Sequence, residues 1–203
     1  IIKKTVDQKG SYFMQPLGVS EELLPELVEE LNAVRKQDPS FKFLFGDVEE
    51  PFLLQLKNLC GHKIEFREDQ NNFDYIYDTQ KLIDLSGNKL HRKKNLYNQF
   101  VNKYNYEIRD IHDQKTHGDC LALAEQWVQS QKTKHKEIIF ELEGIKRVFQ
   151  NLDKLNVLGM AVYVEDKIAG FTFGEKVNAQ MAIIQVEKAD LKYKGIYAFL
   201  NKA

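Results

Sequence analysis

From Leu158 onward the chain reads as three strands parted by short polar turns, and this succession limits the possible folds more than any other stretch. Residues 159–164 are a short apolar run, and Glu165, Asp166 and Lys167 make a polar turn. Residues 168–174 return, rich in the branched and aromatic side chains that suit strands. Residues 177–180 turn again, and residues 181–186 form a third strand. After Glu187, Lys188, Ala189 and Asp190, the Lys- and Gly-containing stretch 191–197 opens a helix. Strands joined by turns this short form an antiparallel meander. A helix entered through such a loop can hold an anion, because its first amides are unpaired and aligned.

Composition narrows the classes around that meander. Of the 203 residues 43% are apolar, enough for a core, and 29 Lys and Arg nearly balance 30 Asp and Glu. Global charge therefore argues neither for nor against a nucleic acid partner, and any basic site must be local. No apolar run approaches the roughly 20 residues of a membrane-spanning helix. Cys60 and Cys120 stand far apart and match no metal spacing, so a reducing, cytoplasmic setting is the simplest expectation. Residues 1–6 already read as a strand, and the closing helix stops at Ala203 without a capping residue. The sequence is accordingly expected to be a piece of a longer protein.

Taken in order, residues 1–6 and 11–15 read as a hairpin across Asp7, Gln8, Lys9 and Gly10. Ser20 with Glu21 and Glu22 is expected to start a helix striped by Leu23, Leu24, Leu27, Val28, Leu31 and Val34, with Pro25 loosening its first turn. Asp38, Pro39 and Ser40 end it, and residues 41–45 form a buried strand. Asp47 with Glu50 resembles a capping box for a helix running to Leu59 and closed by Gly61. Residues 64–67 and 73–77 are predicted strands joined by a turn over 68–72. A new succession starts at Thr79: a helical turn over 81–85, a break at Ser86, Gly87 and Asn88, a helix over 89–104 and a strand over 106–111. Thr116 with Asp119 is expected to cap a helix carrying Leu121, Leu123, Ala124, Trp127 and Val128. A further helix carries Ile138, Leu142, Ile145, Val148, Phe149 and Leu152. Both halves contain strand–strand–helix units in the same sense, a hint of duplication.

Helix, strand, two helices, three-strand meander and helix is the element order of the GNAT acyltransferase fold. Three stretches bring the likeness closer. One is the basic helix start in 85–95, with Lys89, His91, Arg92, Lys93, Lys94 and Asn95. The others are the glycine-marked strand 167–175 and the stretch from Glu187 to Tyr197. Together they resemble the soluble family related to the C-terminal domain of phosphatidylglycerol lysyltransferase, built from two tandem GNAT-like domains. The resemblance implies an α+β fold with mixed sheets flanked by helices. Residues 1–78 would be the later part of a first GNAT-like domain and residues 79–203 the earlier part of a second, each incomplete in this chain. A permuted packing of 41–78 against 79–203 is the variant. It further implies transfer of an acyl or aminoacyl group to a small-molecule amine or hydroxyl acceptor, with aminoacyl-tRNA or acyl-CoA as candidate donor and no certain cofactor. A non-catalytic GNAT-fold module binding a phosphate-bearing ligand is the alternative.

Candidate residues follow. Glu187 ends the third meander strand, where GNAT enzymes often keep a general base; burial raises such a carboxyl and suits it to take a proton from an attacking amine. The competing reading is a surface Glu paired with Lys188 or Lys192. His91, Arg92, Lys93, Lys94 and Asn95 are candidates to hold phosphates of an RNA acceptor end or of an anionic lipid head group; the competing reading is a solvated helix face. Lys192, Lys194, Gly195 and Tyr197 match the acetyl-CoA pyrophosphate loop in part. Gly195 fits, but Tyr197 stands where a tiny residue lets phosphate approach the backbone. Tyr163 and Tyr193 read as packing residues. Cys120, after His117 and Asp119, is better read as a small buried thiol than as a nucleophile. Asp110, His112, Asp113 and His117 fit no standard metal spacing and read as a polar loop.

Overall fold

The three runs at the end of the chain form an antiparallel meander in the computed structural model, which describes residues 1–7, 10–60, 64–70, 73–131 and 136–203. In chain order the strands are β1 (Lys4–Asp7), β2 (Gly10–Phe13), β3 (Phe41–Phe45), β4 (Tyr106–Asp110), β5 (Val157–Val164), β6 (Lys167–Lys176) and β7 (Ala182–Ala189). The helices are α1 (Leu24–Gln37), α2 (Glu50–Cys60), α3 (Thr79–Asp84), α4 (His91–Lys103), α5 (Gln114–Ser130), α6 (Lys136–Gln150) and α7 (Ile196–Leu200). The class is α+β, and the chain divides into two units, Ile1–Tyr75 and Ile76–Ala203. No helix among the described residues is long and apolar enough to cross a membrane.

In the first unit β2 sits between antiparallel β1 and parallel β3, and α1 makes the crossover that a parallel pair requires. Phe13, Leu31 and Phe41 pack on one another, and Leu24 meets Phe52 and Leu56 of α2. Several local expectations give way here. Helix α1 starts at Leu24 without a side-chain cap, because residues 21–23 form a turn first; Pro25 holds the opening turn, and Leu23 and Val34 are exposed. The Asp47 capping box does not form. Asp47 is in the left-handed region (φ 52°) and its carboxylate accepts the Tyr12 hydroxyl, while Gln15 takes the Glu49 N–H. Residues 64–67 and 73–77 are not strands: no ladder pairs them among the described residues, and strand propensity without a partner edge does not make a strand. Gln8, Lys9, Gly61, Asn71 and Asn72, parts of predicted turns, lie outside the described residues.

In the second unit β4 adds antiparallel to β5, giving the order β4-β5-β6-β7. Both faces are covered. Tyr163, Phe171, Phe173 and Val186 pack with Leu123, Ile145 and Phe149 of α5 and α6. On the other face Val162, Val164, Ala169 and Ala189 meet Phe100 of α4 and Ile196, Phe199 and Leu200 of α7. Double coverage is why 161–164 and 169–174 are buried without a break instead of alternating with polar residues. Phe100 and Phe171 are fully buried, each contributing about 1.5–3 kcal/mol of hydrophobic stabilisation. The cap of α5 is Asp113, whose carboxylate accepts the Lys115 N–H at 3.0 Å, not Thr116. Thr116 is buried in the first turn and donates its hydroxyl to the Asp113 carbonyl at 2.8 Å. A short 3-10 turn, Asn88–Leu90, precedes α4, so the helix predicted over 89–104 starts at His91.

The joint between α4 and α7 is unusually close. Gly195, the residue before α7, has φ 94°, and a Cβ on it would stand 2.1 Å from the Leu96 carbonyl oxygen. Phe199 then lies 4.8 Å from Phe100 and stacks on Tyr97 at 5.9 Å, ring centre to ring centre. Gly195→Ala combines a left-handed backbone with a backbone clash, so it is expected to destabilise this unit by more than about 2 kcal/mol. Gly118→Ala, inside α5 with open space at the Cβ, should instead stabilise by about 0.5–1 kcal/mol. Urea unfolding of the two variants measures the contrast.

Candidate functional site

Strand β7 deals its side chains alternately. Val186 belongs to the core under α5 and α6 and Ala189 to the core under α4 and α7; Glu187 therefore shares the Ala189 side. There Glu187 lies opposite Thr172 of β6, which in turn lies opposite Met160 of β5. This row is one step out from the apolar row of Val162, Gly170 and Ala189. Just past α7, Asn201 donates its Nδ2 to Glu187 Oε1 at 2.5 Å. Asn201 Oδ1 accepts from Lys93 Nζ at 2.5 Å, and that ammonium lies 5.2 Å from the Tyr77 ring centre. A cation from α4, an amide behind α7 and a carboxylate on β7 thus form one chain.

Burial pushes the Glu187 carboxyl above its ordinary value, and the Asn201 hydrogen bond and the Lys93 charge oppose that shift. Oε1 is taken by Asn201, and no described residue takes Oε2. Thr172 is 7% exposed, and its hydroxyl oxygen is buried without a hydrogen-bond partner among the described residues. A buried unpaired hydroxyl costs about 1–3 kcal/mol, which an incoming polar group could recover. Thr172 and Asn201 were not singled out from the sequence. The signal for Thr172 is a lone hydroxyl inside an apolar strand that pairs with the strand of Glu187. Asn201 carries only its helical spacing from Tyr197, four residues earlier.

The remaining candidates divide. Of the basic run, Lys93 alone turns inward and is half-buried; His91, Arg92, Lys94 and Asn95 are exposed on the outer face of α4. Lys192 is bound to Asp190 at 2.7 Å, which raises its ammonium further. Lys194 is exposed, and its N–H donates to the Tyr104 hydroxyl at 3.3 Å. Gly195 is filled from behind by α4, and α7 has five residues. The half-buried Tyr197 phenol is raised by burial, against contributions from the Ala189 backbone and the Trp127 side chain, with the Glu187 charge adding to the rise.

Elsewhere the polar groups serve the fold. Cys120 is fully buried, and its thiol is pushed up to about 12 by burial and then by the Asp119 charge, which opposes a thiolate nucleophile. Tyr163 is on the α5 side of the sheet, where its hydroxyl donates to Asp119 at 2.7 Å and the Arg109 guanidinium covers its ring at 4.0 Å. Tyr193 is buried edge-on to Tyr104. Asp110 accepts the His112 N–H at 2.8 Å, His112 Nε2 contacts the Val157 carbonyl at 2.9 Å, and Asp113 caps α5. Among the described residues no three His, Cys, Asp or Glu side chains are placed to share a metal ion. Trp127 is half-buried beneath the Lys188 ammonium, 3.7 Å from its ring centre; Lys188 is 6% exposed and pairs with Glu141 at 2.8 Å.

Comparison with known proteins adds three findings. A family model described as phosphatidylglycerol lysyltransferase, C-terminal, matches residues 1–203. An uncharacterised protein of Mycoplasmoides gallisepticum is 21% identical over 224 residues, spanning 95% of this chain and 70% of that protein. The crystal structure of a conserved protein of unknown function from Bacteroides thetaiotaomicron superposes with a TM-score of 0.83 at 26% identity, covering 99% of this chain and 67% of that one. The C-terminal domain of a protein assigned as a lysylphosphatidylglycerol synthetase from Agrobacterium fabrum superposes with a TM-score of 0.56 at 13% identity, over 98% of this chain and 60% of that one. This last likeness is one of fold.

The raised Glu187 carboxyl has a pH signature. A carboxyl whose folded value lies above its unfolded one contributes stability that is fully present below the unfolded value of about 4.3 and is lost as pH rises through the folded value. Relative to Glu187→Gln, the wild type is therefore expected to lose stability as pH climbs from about 4. Paired urea melts of the two proteins between pH 4 and 8 check the sign; a difference that does not vary with pH removes the raised carboxyl.

Proposed function

The chain belongs to the family of phosphatidylglycerol lysyltransferase C-terminal domains, and from that premise we propose that it is a GNAT-like transferase moving an acyl or aminoacyl group to an amine or hydroxyl acceptor. In this reading the chain carries the later part of one GNAT-like domain in 1–78 and the earlier part of a second in 79–203, and it works in the cytoplasm. The observation that carries the reading is Glu187: half-buried, raised by desolvation, hydrogen-bonded through one oxygen, and beside an unpaired hydroxyl.

Glu187 acts as general base. Its Oε2 takes the proton from the acceptor amine or hydroxyl as that atom attacks the donor carbonyl carbon. The tetrahedral intermediate then expels the donor oxygen or sulfur, and the proton passes from Glu187 to that leaving group. Asn201 fixes the carboxylate, and the Lys93 charge, set in place by Asn201, opposes the rise that burial causes. Thr172 offers its hydroxyl to the acceptor. These roles support the transferase over the non-catalytic binding module, for which a Glu187 in bulk solvent would speak.

Glu187→Gln is expected to lower transfer by about 10²–10⁴-fold while leaving donor affinity unchanged. The assay is single-turnover transfer by the full-length protein from lysyl-tRNA to phosphatidylglycerol vesicles, with free amines as a second acceptor. Transfer at the wild-type rate by this variant would favour the binding module.

Acetyl-CoA is expected to bind weakly, with Kd above about 100 μM, a binding free energy of less than roughly 6 kcal/mol. Lys192 is occupied by Asp190, Gly195 is backed by the Leu96 carbonyl, and Tyr197 fills the position where pyrophosphate needs bare backbone. Calorimetry measures this directly. Low-micromolar binding that survives high salt would restore acyl-CoA as the donor.

A further inference from the structure

On the side of the sheet that carries Glu187, α4 and α7 cover only part of the surface. The row of Val162, Gly170 and Ala189 lies beneath α7: a Cβ on Gly170 would stand 3.1 Å from both Ile196 and Leu200. The row of Met160, Thr172 and Glu187 follows, and the next row outward is Leu158, Gly174 and Ile184. Leu158 is 68% exposed and Ile184 62% exposed. Gly174, between them, has no side chain, so two aliphatic groups flank a bare strand. The apolar stretch ends one row farther out, where exposed Lys176 stands opposite Ala182. Successive rows on one face are about 7 Å apart.

A sheet face open to water ordinarily carries polar side chains. The opposite face of the same strands does so at the neighbouring position, where Glu175 is exposed and its carboxylate accepts the Gln185 amide at 3.1 Å. The row of Leu158 and Ile184 carries no polar side chain, although it adjoins a carboxylate and an unpaired hydroxyl. Approach to Glu187 from the inner side is closed. Asn201 holds Oε1, and Ile196 and Leu200 cover the inner row. A nucleophile placed between Glu187 Oε2 and Thr172 therefore carries the rest of its molecule outward, over Leu158 and Ile184.

We infer that Leu158 and Ile184 seat an apolar substituent of the acceptor, a small primary amine or alcohol bearing a short alkyl or aromatic group. The inference deepens the transferase reading, on which it rests for the name acceptor, by giving the class of molecule that meets Glu187. An apolar group laid on this row removes apolar area from water on both partners. A polyamine or a glycerol-type hydroxyl would bring charge or hydroxyls to a surface that offers them no partner. The occupant is small for a reason of area. A stable protein partner takes about 800 Å² of each surface, far more than two aliphatic side chains bounded by Lys176 supply.

The test is ligand-observed NMR titration of the full-length protein with ethylamine, butylamine and hexylamine, which reads binding without any transfer. Hexylamine is expected to bind about tenfold more tightly than ethylamine, because each added methylene, covered on one side, contributes about twofold. An amine of the same length with a polar chain, 2-(2-aminoethoxy)ethanol, should bind no better than ethylamine. Leu158→Gln/Ile184→Thr should reduce the hexylamine-to-ethylamine ratio to about twofold, while Leu158→Met/Ile184→Leu should keep it. Both positions are exposed, and the second pair separates lost apolar surface from folding damage. A ratio near one in the wild type, or an undiminished ratio in the Gln/Thr variant, would overturn the inference. So would a wild-type dimer that this variant dissociates, or vesicle binding that it abolishes, since either gives the row to a larger occupant. Loss of transfer in Glu187→Gln tests the transferase reading separately, because the chain-length ratio does not depend on turnover.

Discussion

The closeness of Gly195 to the Leu96 carbonyl governs the second unit. Because no side chain intervenes, α7 is set directly against α4, and Phe199 enters between Tyr97 and Phe100. That contact fixes two polar atoms several residues away. Asn201 is carried by the end of α7 and Lys93 by the start of α4, and only their joint placement lets one amide bind the ammonium and the Glu187 carboxylate together. The site is thus a by-product of tight helix packing. The glycine that reads as a phosphate-loop residue in the sequence has its conformational need fully explained by that packing.

The sheet adds a second constraint. Coverage on both faces leaves few positions for polar groups, so the row of Met160, Thr172 and Glu187 marks where the covering helices stop. A carboxyl inside that border resists ionising, while one far outside it would be solvated and ordinary. Glu187 stands at the border itself. On the opposite side of the same strand Lys188 is buried yet retains its charge partner in Glu141 and an aromatic face in Trp127.

What the sequence discloses here depends on the range of the interaction. The meander was legible because its turns are local and its strands are long and apolar. The order of helices and the strand before them followed from the same periodicity. Glu187 was expected to end the third strand, whereas β7 runs on to Ala189 and keeps it inside the ladder opposite Thr172. Capping residues were not legible: Ser20, Asp47 and Thr116 each had a plausible local partner, yet neighbouring groups such as Gln15 and Asp113 took the role. The strands expected over 64–67 and 73–77 have the composition of strands and no edge to join. Asn201 and Thr172 escaped because their importance comes from cross-strand and helix-to-strand contacts between residues far apart in sequence. The division of the basic run was hidden for a simpler reason. A one-residue step in a helix is about 100° of rotation, enough to turn Lys93 toward the protein and Lys94 toward solvent.

The contact between Lys188 and Trp127 has an optical consequence. Trp127 is the single tryptophan of the sequence, and the cation over its ring belongs to the residue next to Glu187. Indole emission responds to a nearby charge, so the chain carries a built-in reporter coupled by one peptide bond to its candidate base. Any displacement of β7 by an occupant on one face of the sheet is transmitted as a change in the field at the chromophore on the other. Site occupancy thereby becomes a spectral quantity, readable without a label.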